Sequence, residues 1–177
     1  MDLLFRGIGP GLASYGVPQY VNDPTLTVLD STGSIVGRND NWSDQFGWQN
    51  IRNNAAVLGA FPLAEGGLDA AIQRPLPGGG FTLQLDAVDR GGANGLIEVY
   101  RVTSPLAKNQ GDEMINLSMR ANTGETMKPA TLGFVVVDPL GFGRPVRLLM
   151  RAVGPGLAAF GIEGFLRGGE LRLEING

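Results

Sequence analysis

The stretch Leu3-Leu4-Phe5-Arg6-Gly7-Ile8-Gly9-Pro10-Gly11-Leu12 is written a second time in this chain, as Leu148-Leu149-Met150-Arg151-Ala152-Val153-Gly154-Pro155-Gly156-Leu157. The offset is 145 residues, and the match runs on through Ala13/Ala158, Tyr15/Phe160, Gly16/Gly161 and Val17/Ile162 to Leu26/Leu171. An echo at fixed offset is the signature of a repeated structural unit. The chain therefore reads as a piece of a tandem array, entering one unit near its start and leaving the next part-way through.

Working outward, residues 3–8 form a short apolar run that Gly9-Pro10-Gly11 terminates, and Leu12–Tyr15 has room for one helical turn before Gly16. Thr25-Leu26-Thr27-Val28-Leu29 predicts a strand with Leu26 and Val28 on one face. The Asp30–Gly33 turn sends the chain back along Ser34–Arg38 as a hairpin. Ile51, Ala55 and Leu58 recur at helical spacing and predict a short surface helix over 49–58. Further strands are predicted at 69–74, 81–86 (Phe81, Leu83 and Leu85 inward) and 96–102. Beyond these lie strands at 115–120, 131–137, 145–150 and 170–175. Period-two alternation punctuated by Gly and Pro argues for an all-β fold, an antiparallel, jelly-roll-like β-sandwich with one or two short helical turns. Residues 1–102 supply most of one unit and 103–113 a linker. Residues 114–177 open a second unit, expected to fold back and complete the first sandwich.

Composition narrows the function. The 177 residues include 28 Gly and 11 Pro, with 43% hydrophobic and 18% charged residues, a globular balance rich in turns. Net charge is −3, and the 12 Arg and 2 Lys are scattered. No basic stripe exists to neutralise a phosphate backbone, so nucleic acid is not an expected partner. No apolar run approaches the ~20 residues that span a bilayer, so no membrane insertion is expected. Cysteine and histidine are both absent, which removes disulfides, thiolate nucleophiles, Cys/His zinc sites and any His-based triad.

Several motifs occur in an order that resembles a known module: Leu148–Gly161, Asp23–Val28, Asn39-Asp40-Asn41-Trp42, Gly59–Leu63, Asp69–Ile72 and Gly95–Tyr100. They are similar to a module repeated in large secreted proteins of environmental bacteria. That module in turn looks like the bacterial pre-peptidase C-terminal type of β-sandwich. The resemblance implies an exported, extracellular or cell-surface, non-catalytic accessory domain.

Three constellations carry candidate chemistry. Asn39, Asp40, Asn41 and Asp44, with Asp30 on the same hairpin, offer the hard oxygen ligands that Ca²⁺ prefers. The alternative is that these side chains shape Asx-turns or cap a helix. Trp42 and Trp48, with Phe46 between them, supply the flat rings of a sugar-binding face, or else they lid the end of the sandwich. Arg6 and Arg151 precede the repeated Gly-Pro-Gly turn, where a structural arginine paired with a carboxylate is the expected role, ahead of an anion site. Asp69, Asp86, Asp89, Glu65 and Glu98 could in principle supply a carboxylate pair for glycoside hydrolysis, and none lies in a recognisable motif. Glu98 is expected on the outward side of its strand.

The expectation is a non-enzymatic module that binds a surface polysaccharide or a cell-surface protein. Two alternatives are a self-assembling unit, a homo-oligomer joined through unpaired edge strands, and a hydrolase with a cryptic carboxylate pair.

Overall fold

The computed structural model describes residues 1–87, 94–102, 132–134 and 148–174. The chain divides into two compact units, Met1–Ile115 and Asn116–Gly177. The expected linker 103–113, the strand expected at 115–120 and all but residues 132–134 of the strand expected at 131–137 lie outside the described residues.

The first unit is all-β and sandwich-like. Its strands are β1 (Asp2–Ile8), β2 (Pro24–Asp30), β3 (Ile35–Asn39), β4 (Ala70–Pro75), β5 (Phe81–Ala87) and β6 (Leu96–Arg101), with a helix α1 (Trp48–Val57) between β3 and β4. Two antiparallel three-stranded sheets result, ordered β4-β1-β6 and β3-β2-β5. Leu3 and Phe5 of β1 and Ala70 and Ile72 of β4 meet Leu26 and Val28 of β2 between the sheets, with Leu83 and Leu85 of β5 packed against them. Each such side chain, fully removed from water, contributes about 1.5–3 kcal/mol.

The β1 sheet is covered on its other face as well. Leu4 and Ala71 point away from the facing sheet and pack with Trp42, Ile51 of α1 and the half-buried Trp48, Ala55, Leu58 and Tyr100. This double coverage explains why β1 is buried from Leu3 to Ile8 without alternation, as expected of a strand buried on both faces. The helical spacing of Ile51, Ala55 and Leu58 thus marks the face that α1 presents to this sheet. Gly7 belongs to the same packing: a Cβ there would meet Leu85 Cδ1 at 2.6 Å.

The turn that ends the repeated stretch takes nearly the same conformation in both copies. A 3₁₀ helix covers Pro10–Tyr15 in the first unit and Pro155–Phe160 in the second. Gly9 has φ −127° and ψ −83°, and Gly154 has φ −114° and ψ −85°. Gly16 and Gly161 close the turns in the left-handed region, at φ 70° and 69°, where glycine carries no Cβ penalty. The amide of Leu12 donates to Gly9 O and that of Leu157 to Gly154 O, both at 3.0 Å.

In the second unit, residues 148–153 and 170–174 pair with no other described residue in a sheet, and the remaining parts of the strands expected over 145–150 and 170–175 lie outside the described residues.

Candidate functional site

The densest polar arrangement is built around the first copy of the repeat. Asp69, the residue before β4, is buried, and its Oδ1 accepts hydrogen bonds from the amides of Gly9 at 2.8 Å and Gly11 at 3.1 Å. A carboxylate thus satisfies two amides that the tight Gly-Pro-Gly turn leaves without backbone partners. Gly11 admits it because a Cβ there would lie 3.0 Å from Asp69 Oδ2.

Beside this clamp, β1 and β6 place Arg6 directly opposite Glu98. The Arg6 side chain is only 1% exposed, and its Nε lies 3.2 Å from Glu98 Oε2. The guanidinium carbon sits 4.4 Å from the centre of the Phe61 ring, a distance at which a cation and a π face attract. Tyr100 donates its hydroxyl to Glu98 Oε1 at 2.9 Å. The arginine is paired with a carboxylate, as expected, and Glu98 lies on the face of β6 away from the facing sheet while Val99 packs into the core between the sheets. That face is covered rather than bare, so Glu98 is partly buried there as the counter-ion that a buried guanidinium needs.

Burial, and then the hydrogen bond to Glu98, raise the pKa of Tyr100 from 10.0 to about 12. In the unfolded chain a tyrosine ionises near about 10. The native state therefore holds this proton more tightly. Its share of stability is complete below pH about 10 and is lost as pH rises toward about 12. Tyrosinate absorbance during alkaline titration should show one tyrosine ionising late, and a Tyr100→Phe chain should lack that late phase. A titration identical in the two chains would contradict the placement.

Of the calcium candidates, Asp30 stands apart from the others. Asp30 closes its own turn, with Oδ1 accepting from the amides of Thr32 (2.9 Å) and Ser34 (3.0 Å) and from the Thr32 hydroxyl (2.6 Å). The Thr32 hydroxyl, then the Ser34 amide, hold its pKa below the usual carboxylate value. Asn39 is opposite Leu26 while Asp30 is opposite Phe81, so four residues of β2, about 13 Å, separate the two ends of the proposed set. Asn39 Oδ1 accepts from the Ala71 amide, and its Nδ2 donates to Asn41 O. Asp40 and Asp44 are exposed. Among the described residues, no group of three or more carboxylates is placed to hold a metal ion.

The aromatic candidates separate in the same way. Trp42 is 2% exposed and donates its indole N–H to Ala64 O at 2.8 Å. Trp48 is half-buried and packs edge-on against it, with ring centres 5.4 Å apart. Phe46 alone is fully exposed. Trp42 and Trp48 therefore form the lid of the β1 sheet and leave no shared platform with Phe46.

An open groove lies elsewhere, over the 3₁₀ helix, lined by Pro10, Ser14, Tyr15, Phe61, Leu63 and Asp69. Tyr15 is 59% exposed, and its ring leans on Phe61 with centres 4.9 Å apart. The sequence signal for this groove was the aromatic pair Tyr15/Phe160 within the repeat. No helix among the described residues is long and apolar enough to cross a membrane. The chain matches no protein-family model, no curated protein and no solved structure.

Proposed function

We propose that this chain is a non-catalytic β-sandwich module serving as a structural and adhesive part of a larger repeated protein outside the cell. The observation that carries this reading is the identity of backbone between the two copies, from the Gly9/Gly154 entry to the Gly16/Gly161 exit. Its polar residues support the same reading, because they are occupied with holding the frame. Asp69 clamps the turn, Glu98 neutralises Arg6, and Glu65 lies 3.9 Å from Arg52.

Interchangeable parts should be exchangeable. A chain in which residues 148–167 replace residues 3–22 keeps the arginine, the Gly-Pro-Gly turn and the closing glycine. It places Ala152 where Gly7 stood, against the flexible end of Leu85. We expect cooperative thermal melting of this chain with about 1–3 kcal/mol less stability, the usual range for mild overpacking. A chain that fails to fold would overturn the modular reading.

A second reading is favoured by the Tyr15–Phe61 groove, where an exposed ring stands beside the Ser14 hydroxyl and the Asp69 carboxylate. Such a surface suits stacking against a polysaccharide. Co-sedimentation with insoluble polysaccharides should fall about tenfold in Tyr15→Ala, the loss of about 1.4 kcal/mol in binding. Binding equal in both chains would exclude the groove.

A further inference from the structure

Asp69 spends one of its two carboxylate oxygens on the fold. Oδ1 carries both amides of the Gly-Pro-Gly turn. Oδ2 accepts no hydrogen bond from any described residue and is not sealed from solvent, although the residue as a whole is 2% exposed. A carboxylate oxygen in so confined a place is costly to leave without a donor. Asp69 lines the groove over the 3₁₀ helix, and Gly11 lines it beside that oxygen. A Cβ on Gly11 would stand 3.0 Å from Oδ2, so the glycine keeps the approach to that atom clear.

The walls of the groove are fixed by their own packing. Phe61 has the Arg6 guanidinium 4.4 Å from its ring centre, and Tyr15 leans on it with 59° between the ring planes. The groove holds about 400 Å³, inside the range of about 300–1,000 Å³ that small-ligand sites occupy. Among the described residues that line it, Asp69 is the only charged one. The rest are the two rings, the Ser14 hydroxyl and apolar groups.

Charge then decides among the ligands that an aromatic groove can stack. A sugar bearing carboxylates or sulfates meets Asp69 as a like charge, with no basic residue of the lining to offset it. A neutral sugar offers Oδ2 a hydroxyl. A protonated amino sugar offers an N–H donor and a positive charge together, and a charge-assisted hydrogen bond is about twice as strong as a neutral one. A lysine side chain brings the charge but neither a flat face for Tyr15 nor hydroxyls for Ser14. We propose that this groove binds a polysaccharide of amino sugars in protonated form, its ammonium group donating to Asp69 Oδ2 and its apolar ring face lying against Tyr15. The inference rests on the polysaccharide reading of the groove and names the class of sugar.

The test is calorimetric titration of the full chain, in mildly acidic buffer of low salt, with β-1,4-linked glucosamine oligomers and glucose oligomers of equal length. The two sugars differ at the ammonium or hydroxyl group on the second carbon, so the comparison leaves the protein untouched. An oligolysine of equal charge is the third titrant. We expect the glucosamine oligomer to bind at least about tenfold more tightly than the glucose oligomer and the oligolysine. Asp69→Asn should bring the glucosamine affinity down to that of glucose. Ser14→Lys, at an exposed position of the groove, should do the same by placing an ammonium of the protein's own near Oδ2, and it leaves the clamp on Gly9 and Gly11 in place. Equal affinity for the two sugars, lost in Tyr15→Ala, would overturn the ammonium assignment while the polysaccharide groove stands. No binding of either sugar would overturn both. Oligolysine bound as tightly as the glucosamine oligomer would reduce the effect to attraction by the chain's net charge of −3 and overturn the proposal. Glucosamine affinity unchanged in Ser14→Lys would overturn the placement at Asp69.

Discussion

Gly9→Ala is expected to abolish cooperative melting of the first unit. The methyl group would lie 2.0 Å from Val21 O and 3.0 Å from its carbonyl carbon, with Pro24 Cδ at 3.1 Å. Gly9 has φ −127° and ψ −83°, outside the left-handed region. The obstacle is steric and lies in the main chain, which cannot rotate away as a side chain does. Val21 is held from the other side, its amide bonded to Asn94 O at 2.9 Å, while Asn94 Nδ2 donates to Pro18 O at 2.6 Å. Separating these segments means opening the joint between β1 and the start of β6. Ordinary overpacking costs about 1–3 kcal/mol. A backbone clash of this depth should exceed about 4 kcal/mol, a large part of a domain's whole stability. Circular dichroism on heating would read the loss. The matched control is Gly154→Ala, which meets Leu166 O at 2.2 Å in a segment without sheet partners and should leave the first unit's melting unchanged. A Gly9→Ala chain melting within about 1 kcal/mol of the native one would show that the turn is not held as described.

Asp69→Ala should be the most damaging loss of a polar side chain in the first unit. It leaves the Gly9 and Gly11 amides without their acceptor at a site where the carboxylate is 2% exposed. Each buried amide left unsatisfied costs about 1–3 kcal/mol, so about 2–6 kcal/mol is expected in total. Asp69→Asn keeps an acceptor oxygen in place and gives up only the charge, which roughly halves the strength of such bonds. The order native, Asn, Ala should therefore appear in urea midpoints with unchanged slope. If Asn proves as damaging as Ala, the hydrogen-bond account of this residue is wrong. An Ala chain that loses under about 1 kcal/mol would show that water replaces the carboxylate without difficulty.

The local pattern carried most of the first unit. The echo of Leu3–Leu12 at Leu148–Leu157 announced a shared backbone, and Gly16 and Gly161 take the left-handed conformation that a closing glycine implies. Ile51, Ala55 and Leu58 did mark the packed face of α1, and Phe81, Leu83 and Leu85 did turn toward the facing sheet. These are properties of spacing within a few residues, where period and turn chemistry decide. The polar residues were harder. Asn39 ends β3 and Asp40 follows it, and proximity in sequence suggested a common ligand. The bonds of Asn39 are instead made to groups 2 and 32 residues away. Trp42 reads either as a sugar-binding ring or as a lid whose N–H finds a partner, and Ala64, 22 residues further on, is that partner. Glu98 does follow period two away from the facing sheet, but that face is covered, and there it meets the buried Arg6 instead of water.

What the sequence determined alone is the kind of object: strands with turns between them, one motif used twice, and an arginine carried with it. Only the tertiary structure decided what each polar group is for. It brought Asp69 to Gly9 and Gly11 across 60 and 58 residues of chain. It buried the first copy of the motif between β4 and β6. The physical reason is that a backbone conformation is chosen by neighbouring residues, whereas a buried charge or amide takes whichever partner the folded chain places within about 3 Å.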